Sequence, residues 1–388
     1  MKNRKLIYGT LAVTGLLVVW LFEACAPIRE FMHWKPYEGA HHFSYPRPGF
    51  DPAKKTVVLV ADNEGTEIFD LMAPYYLFHA TGKANVYVVA EKKQPVIMRK
   101  GCFLLPHFSF AEFDSSGIRA DVVVIPNLSA MDARHQSPVI IHWIQQHYTD
   151  STVVLSVCDG ALTAAATGIY DGKPLTTHAS DYKAIRQQYS KPLWVNNTRI
   201  THSGNLFSTA GVSNATDGSL AVISALFGSA TKAQVMEKIH FTPEQTAHQS
   251  IPVGFSHKLT IGRKVLFSKN KHIGVLLQNG ANELELAAVL DTYNRTFPRS
   301  IESFVLTGNS ITTGYGLVLL PTASLHQAHL NELHVLRPAD MKGYAGDAEI
   351  VSYPQPGEQY IIDQCLHRIH EQYGKKYTAV VRLLLDYN

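Results

Sequence analysis

Four short runs of β-branched and apolar residues set the fold class: Thr56–Ala61 (TVVLVA), Ala84–Ala90 (ANVYVVA), Val122–Ile125 (VVVI) and Val153–Val157 (VVLSV). Apolar runs of this length without alternation fit strands buried on both faces, the condition of a parallel sheet. Between them lie segments of helical period, Thr66–Thr81 with Pro74 expected to kink it and the amphipathic Pro138–Tyr148. Strands alternating with helices predict an α/β, doubly wound parallel sheet, whose ligands sit at the carboxyl ends of the strands. Asp70, Asn127, Cys158 and His178 all fall on or just beyond such ends.

The last run turns at Cys158-Asp159-Gly160 and continues as ALTAAAT, small residues suited to a helix packed hard on a sheet. A cysteine at such an elbow lies beside unpaired helix N-terminal amides. Those amides are expected to favour thiolate over thiol and to supply oxyanion donors. Taken alone, Cys158 also fits a small buried core residue.

The chain has 46% apolar and 17% charged residues, a globular composition. A net charge of +3 gives no case for nucleic acid. Cys25, Cys102, Cys158 and Cys365 are far apart and form no CxxC or His-Cys pattern, so neither a disulfide framework nor a metal site is expected, and no cofactor.

Lys2, Arg4 and Lys5 precede an uncharged run from Leu6 to Phe22. This reads as an uncleaved signal anchor over residues 1–26, a transmembrane helix placing the bulk of a single-pass membrane protein outside the cytoplasm. Residues 27–53, rich in Pro, Gly and aromatics, read as an extended tether.

The helix with an acid four residues before Pro74, then VVVIPN, SVCDGALTAAATGIYDGKPLTTH and STAGVSNATDGSLAVISALFG, resembles the ThiJ/PfpI superfamily over roughly residues 55–228. This superfamily is a branch of the class I glutamine amidotransferase-like, flavodoxin-like fold. Within it the chain is most similar to the ligand-sensing domain of AraC-type amidase-like regulators and to isonitrile hydratase. The resemblance implies Cys158 as elbow nucleophile, Asp70 as the carboxyl that approaches the sulfur, His178 as its proton partner and Gly160 as the elbow glycine. Asp159 and Asn127 join them as pocket residues. Taken alone, Asp70 also fits a helix cap and His178 a satisfied histidine. One departure stands out: Asp159 occupies a position where hydratase-like and regulator-like members commonly carry threonine.

Residues 229–262 read as a connector. From 263 to 388 the plan recurs as a second, degenerate copy: His272–Leu277, a helix from Glu283, Ser303–Thr307, and Leu317–Leu320 before Pro321 as an echo of VVVIP. Glu285 takes the place of Asp70 there, no cysteine elbow follows, and the chain closes on one long helix holding Cys365. No helix-turn-helix with a basic recognition helix is found in the sequence.

These readings give a cysteine-centred pocket for a small molecule, with the two copies packed within one chain or as a homodimer. It would act as a hydrolase, hydratase or lyase on a small amide, nitrile-like or carbonyl substrate. The alternative is a non-catalytic ligand or redox sensor related to the AraC-type regulators but lacking their DNA-binding part.

Overall fold

The computed structural model describes residues 26–39, 43, 45, 48–99, 101–130, 132–243, 247–325, 328–338, 341, 344, 346–353 and 359–387. In the first half, seven strands lie in the order Ile200–Ser203, Leu206–Thr209, Val153–Ser156, Val122–Ile125, Lys55–Ala61, Ala84–Ala90, Phe108–Ser109. All neighbours run parallel except the hairpin Ile200–Ser203/Leu206–Thr209 at one edge. The central strand Lys55–Ala61 is followed on one side by Ala84–Ala90 and on the other by Val122–Ile125, so the winding reverses beside it. A crevice opens at that point.

Helix Ile68–Ala80 carries Pro74 in its interior without ending there. Every residue from Ile68 to Phe78 is buried, which explains the absence of a polar stripe. One face meets the first sheet, and the other meets helix Glu283–Asn294 of the second half. A single apolar cluster therefore joins the halves, with Leu71, Tyr75 and Phe78 in the same core as Leu286, Val289 and Leu290.

The second half holds four parallel strands in the order Ser300–Phe304, His272–Leu276, Glu332–Val335, Glu349–Ser352. A third sheet is shared between the halves: Val318–Leu320 pairs antiparallel with Cys102–Leu105, whose hairpin partner is Val96–Arg99. Leu317–Leu320 thus does not echo Val122–Ile125. It lies across from Cys102–Leu105, and the strand that flanks the central one as Val122–Ile125 does is Glu332–Val335. Charged and polar residues within ELHV hid that strand from a search for apolar runs. The closing helix is two, Ile361–Tyr373 and Lys375–Leu385, broken at Gly374 with φ +77°. A left-handed residue interrupts the hydrogen-bond ladder there, and glycine adopts it without a Cβ clash.

The expectation of a transmembrane helix, and with it a single-pass membrane protein lying mostly outside the cytoplasm, is corrected. Among the described residues no helix is long and apolar enough to cross a membrane. Helix Ala26–Met32, next to the expected anchor, has seven residues. At about 1.5 Å per residue that reaches roughly 10 Å, against a hydrocarbon layer of about 30 Å. The run Leu6–Phe22 itself lies outside the described residues. Where it is described, the expected tether lies against the folded halves. The Phe31 ring packs tilted on Phe297 at 4.5 Å, the Trp34 indole N–H donates to the Glu64 carbonyl at 3.0 Å, Lys35 pairs with Glu302 at 2.7 Å, and Tyr37 sets its edge on Phe103 at 5.0 Å.

Candidate active site

Strand Val153–Ser156 hands over to helix Gly160–Ala166 through Val157, Cys158 and Asp159. Cys158 sits at φ +53°, a left-handed conformation that costs a residue with a Cβ on the order of 1–3 kcal/mol. The packing around it enforces the bend. A Cβ on Gly160 would lie 2.2 Å from the Ile125 carbonyl oxygen and 2.8 Å from that of Pro126, so only glycine lets the helix start this close to the neighbouring strand. The Gly160 amide donates to the Val157 carbonyl at 2.8 Å. It is therefore committed to the turn and not available as the expected oxyanion donor. The amide that favours a charged sulfur is that of Asp159.

Three carboxyls surround the thiol. Asp70 is wholly buried; its Oδ2 accepts the Asn127 amide at 3.1 Å, while Oδ1 accepts no hydrogen bond from a described residue. Glu67 caps the same helix, its Oε2 accepting the Asp70 amide at 2.6 Å. Burial raises the Asp70 pKa well above the usual carboxylate value, and the Asp291 and Asp159 charges add to this against the Asn127 bond. Burial likewise raises the Cys158 pKa well above 9.0, with Asp70, Asp159 and Glu67 pushing the same way. The expectation of a thiolate is thus overturned. Helix amides favour the anion, but desolvation and three acids outweigh them, and the resting group is a thiol.

Asp159 is half-buried. Its Oδ1 accepts the Thr177 hydroxyl at 2.8 Å, and burial, then Asp181, move its pKa up to about 6. His178 is buried, with Nδ1 accepting the Ser180 amide at 3.3 Å and lying 3.6 Å from Asp181 Oδ2. That bond leaves the proton of the neutral ring on Nε2, which has no partner among the described residues. Burial works against the imidazolium, but Asp181, Asp159 and Asp386 together carry the His178 pKa above the ordinary 6.5.

Cys158, Asp159, His178 and Asn127 line one cavity of about 430 Å³. Asp70 is not among the residues lining it; it lies buried behind them, where its ionised form opposes a charged sulfur. The other walls were not legible in advance: Phe31, Met32 and Trp34 from the N-terminal segment, Arg99 from the shared sheet, and Asp291 and Arg295 from the second half. Arg99 lies 4.8 Å from the Trp34 ring and donates to the Leu128 carbonyl. Only Glu67 carried a usable signal, sitting at the capping position three residues before Asp70. Glu285, the counterpart of Asp70, is not among the residues around this cavity and accepts the Asn282 side-chain amide at 3.2 Å. Among the described residues no group of three or more His, Cys, Asp or Glu side chains could hold a metal ion.

A scan of family models matches residues 54–225 to the DJ-1/PfpI family. The elbow cysteine, its buried acid and the parallel sheet all lie inside that stretch. Residues 54–225 form a DJ-1/PfpI domain. Over 174 residues this chain is 25% identical to an isonitrile hydratase of Pseudomonas putida, covering 45% of this chain and 73% of that protein. Among solved structures, Drosophila melanogaster DJ-1beta is 20% identical, covering 49% of this chain and all of its own, with a TM-score of 0.44. A ThiJ/PfpI family protein from Pseudomonas syringae is also 20% identical, covering 55% of this chain and 84% of its own at 0.43. The cavity nevertheless draws on residues beyond the DJ-1/PfpI domain, since Asp291 and Arg295 follow it in sequence.

Proposed function

We propose that the cavity is a cysteine-dependent hydratase site for a small, largely apolar molecule of the isonitrile class. The observation that carries this reading is a thiol at the cavity with a buried carboxyl behind it, whose pKa burial raises and whose Oδ1 accepts no hydrogen bond from a described residue. An isonitrile suits that pairing because its terminal carbon accepts both a proton and a nucleophile. Sulfur bonds to that carbon while Asp70 delivers its proton there and takes up the thiol proton in return, giving a thioimidate. Water then adds to the same carbon, with His178 and Asp159 placed to pass one of its protons to nitrogen. The carbon–sulfur bond breaks, sulfur recovers a proton, and an N-substituted formamide leaves. Acid–base assistance of this kind contributes about 10²–10⁴-fold. The similarity to isonitrile hydratase over 174 residues supports the same chemistry.

The second half fits as a degenerate copy that serves as a built-in partner. Its sheet repeats the neighbour order of four strands of the first, its helix Glu283–Asn294 packs on Ile68–Ala80, and its Asp291 and Arg295 complete the cavity. A ligand-sensing role without turnover is the alternative favoured by Asp159, whose charge opposes a thiolate. Peroxide sensing is disfavoured, because oxidation proceeds through the thiolate.

The test is incubation with a panel of alkyl and aryl isonitriles and mass detection of the formamides, alongside Cys158→Ser and Asp70→Asn. Formamide from the wild type, lost in both variants, is the expected result. Saturable binding with no formamide would replace the hydratase by the sensor.

A further inference from the structure

Gly160, Ala161 and Leu162 open the elbow helix, and their amides are the donors such a turn would offer to a developing oxyanion. All three are spent. Gly160 donates to the Val157 carbonyl at 2.8 Å, Ala161 to that of Cys158 at 3.3 Å and Leu162 to that of Asp159 at 3.0 Å. The Asp159 amide acts on the sulfur. Water addition nevertheless puts a new oxygen on the carbon that sulfur holds. As that oxygen gives up its second proton it gathers negative charge, which is costly in a buried cavity unless a donor meets it.

Asn127 lies just beyond strand Val122–Ile125, with its backbone tied on both sides to the helix start that carries Asp70. Its amide donates to Asp70 Oδ2 at 3.1 Å, and its carbonyl accepts the Glu67 amide at 2.8 Å. The same segment abuts the elbow. The Val157 amide donates to the Ile125 carbonyl at 2.9 Å, and Gly160 lies hard against the Ile125 and Pro126 carbonyls. Asn127 is thus fixed between the acid's helix and the sulfur's turn. Its side chain is not. The residue is 7% exposed and lines the cavity with Cys158, yet its carboxamide makes no hydrogen bond to a described residue. Leaving so buried a polar group unpaired costs about 1–3 kcal/mol, which a ligand atom placed against it recovers. The guanidiniums in the same walls are engaged, Arg99 by the Leu128 carbonyl and Arg295 by Asp291.

We propose that the Asn127 side chain is a catalytic residue of the water-addition step: its Nδ2–H donates to the oxygen of the tetrahedral adduct, in place of the elbow amides that the turn consumes. The inference rests on the hydratase reading and assigns a role within it. Sulfur first adds to the isonitrile carbon without help from Asn127, since no oxygen is yet present. Water then adds to the carbon of the thioimidate, one of its protons going to nitrogen. As the carbon–sulfur bond breaks, the second proton passes from oxygen to sulfur and the oxygen becomes the formamide carbonyl. The carboxamide holds that oxygen throughout and gains most as its charge peaks. An amide donor carries no charge of its own, so it leaves the ionisation of Cys158 as the surrounding acids set it.

The experiment compares full-length wild type with Asn127→Ala and Asn127→Leu, the second close to asparagine in size but without a donor. Formamide release from an alkyl isonitrile gives kcat and KM, intact mass reads the adduct on Cys158, and iodoacetamide alkylation reads the free sulfur. Loss of one oxyanion donor is expected to lower kcat by about 100-fold or more. The ratio kcat/KM should hold, because it reports the earlier addition of sulfur. Protein carrying the added mass of one isonitrile should therefore accumulate in both variants and not in wild type, with alkylation of Cys158 unchanged. Both substitutions keep the backbone bonds to Asp70 and Glu67, and the leucine variant decides the matter should the alanine one fail to fold. An unchanged kcat overturns the proposal. So does an equal fall in kcat and kcat/KM without adduct, or alkylation slowed in step with turnover, since Asn127 would then serve binding or the sulfur itself. Wild type that forms no formamide sinks the hydratase reading and this role with it, whereas wild-type turnover that both variants keep sinks this role alone.

Discussion

Asp159→Asn exchanges a carboxyl for an amide of the same shape at the position that departs from the family pattern. Asparagine keeps an oxygen to accept the Thr177 hydroxyl, now at 2.8 Å, so the turn need not change. What changes is charge. Burial, then Asp181, lift the Asp159 pKa from 3.8 to about 6. The folded protein therefore holds this proton more tightly than the unfolded chain. The carboxyl costs the fold nothing below pH 3.8, and its penalty grows until the pH passes about 6. At about 1.4 kcal/mol per tenfold in proton affinity the full penalty is about 3 kcal/mol, which partial solvation reduces to about 1–2 kcal/mol. Urea denaturation should thus find Asp159→Asn more stable than wild type by that amount near about pH 8, with the difference gone near about pH 4. Alkylation of Cys158 should quicken in the same variant, because one of the acids opposing its thiolate is gone. A variant less stable than wild type at the higher pH, or a difference that ignores pH, would refute the reasoning. In either case Asp159 would be paired in the fold, not strained by burial.

Gly160→Ala forces a Cβ to within 2.2 Å of the Ile125 carbonyl oxygen. The elbow should move, at a loss of about 2 kcal/mol or more in denaturation and with slower alkylation of Cys158. Leu290→Ala empties a fully buried position on the helix that joins the halves. A loss of about 2–5 kcal/mol is expected, read by chemical denaturation. Trp34→Ala uncovers Arg99 and opens one wall of the cavity, so a rise in KM with little change in kcat is expected in the formamide assay.

The parallel sheet could be read because its strands are buried on both faces and therefore spelled in unbroken apolar runs, as in Val57–Ala61 and Val122–Ile125. Strands with one wet face or charged ends left weaker signals. Glu332–Val335 carries an acid and a histidine, and Val96–Arg99 with Cys102–Leu105 bends back at Gly101, a turn that alternation around a glycine could have suggested. Ile200–Ser203 and Leu206–Thr209 close on Gly204-Asn205, with Gly204 at φ +60°, a hairpin signal that was present and unused.

Within the site, Cys158, Asp159 and His178 were found because they lie within one stretch, and Asp70 because of its spacing from Pro74. The charge state of the sulfur was misjudged. Local reasoning counted the helix amides, whereas Asp70 and Glu67 act from another helix. Arg295 had no sequence signature, since it reaches the cavity only when the second half folds against the first.

The ionisation of Cys158 itself tests the central claim most directly. Ultraviolet thiolate absorbance across a pH titration, taken as wild type minus Cys158→Ala, isolates that sulfur from Cys102, whose own pKa burial pushes up to about 12. The difference signal should stay that of a thiol at neutral pH and appear only above the ordinary thiol value of 9.0. A thiolate signal already present at neutral pH would contradict a site that works by a neutral sulfur beside a protonated carboxyl.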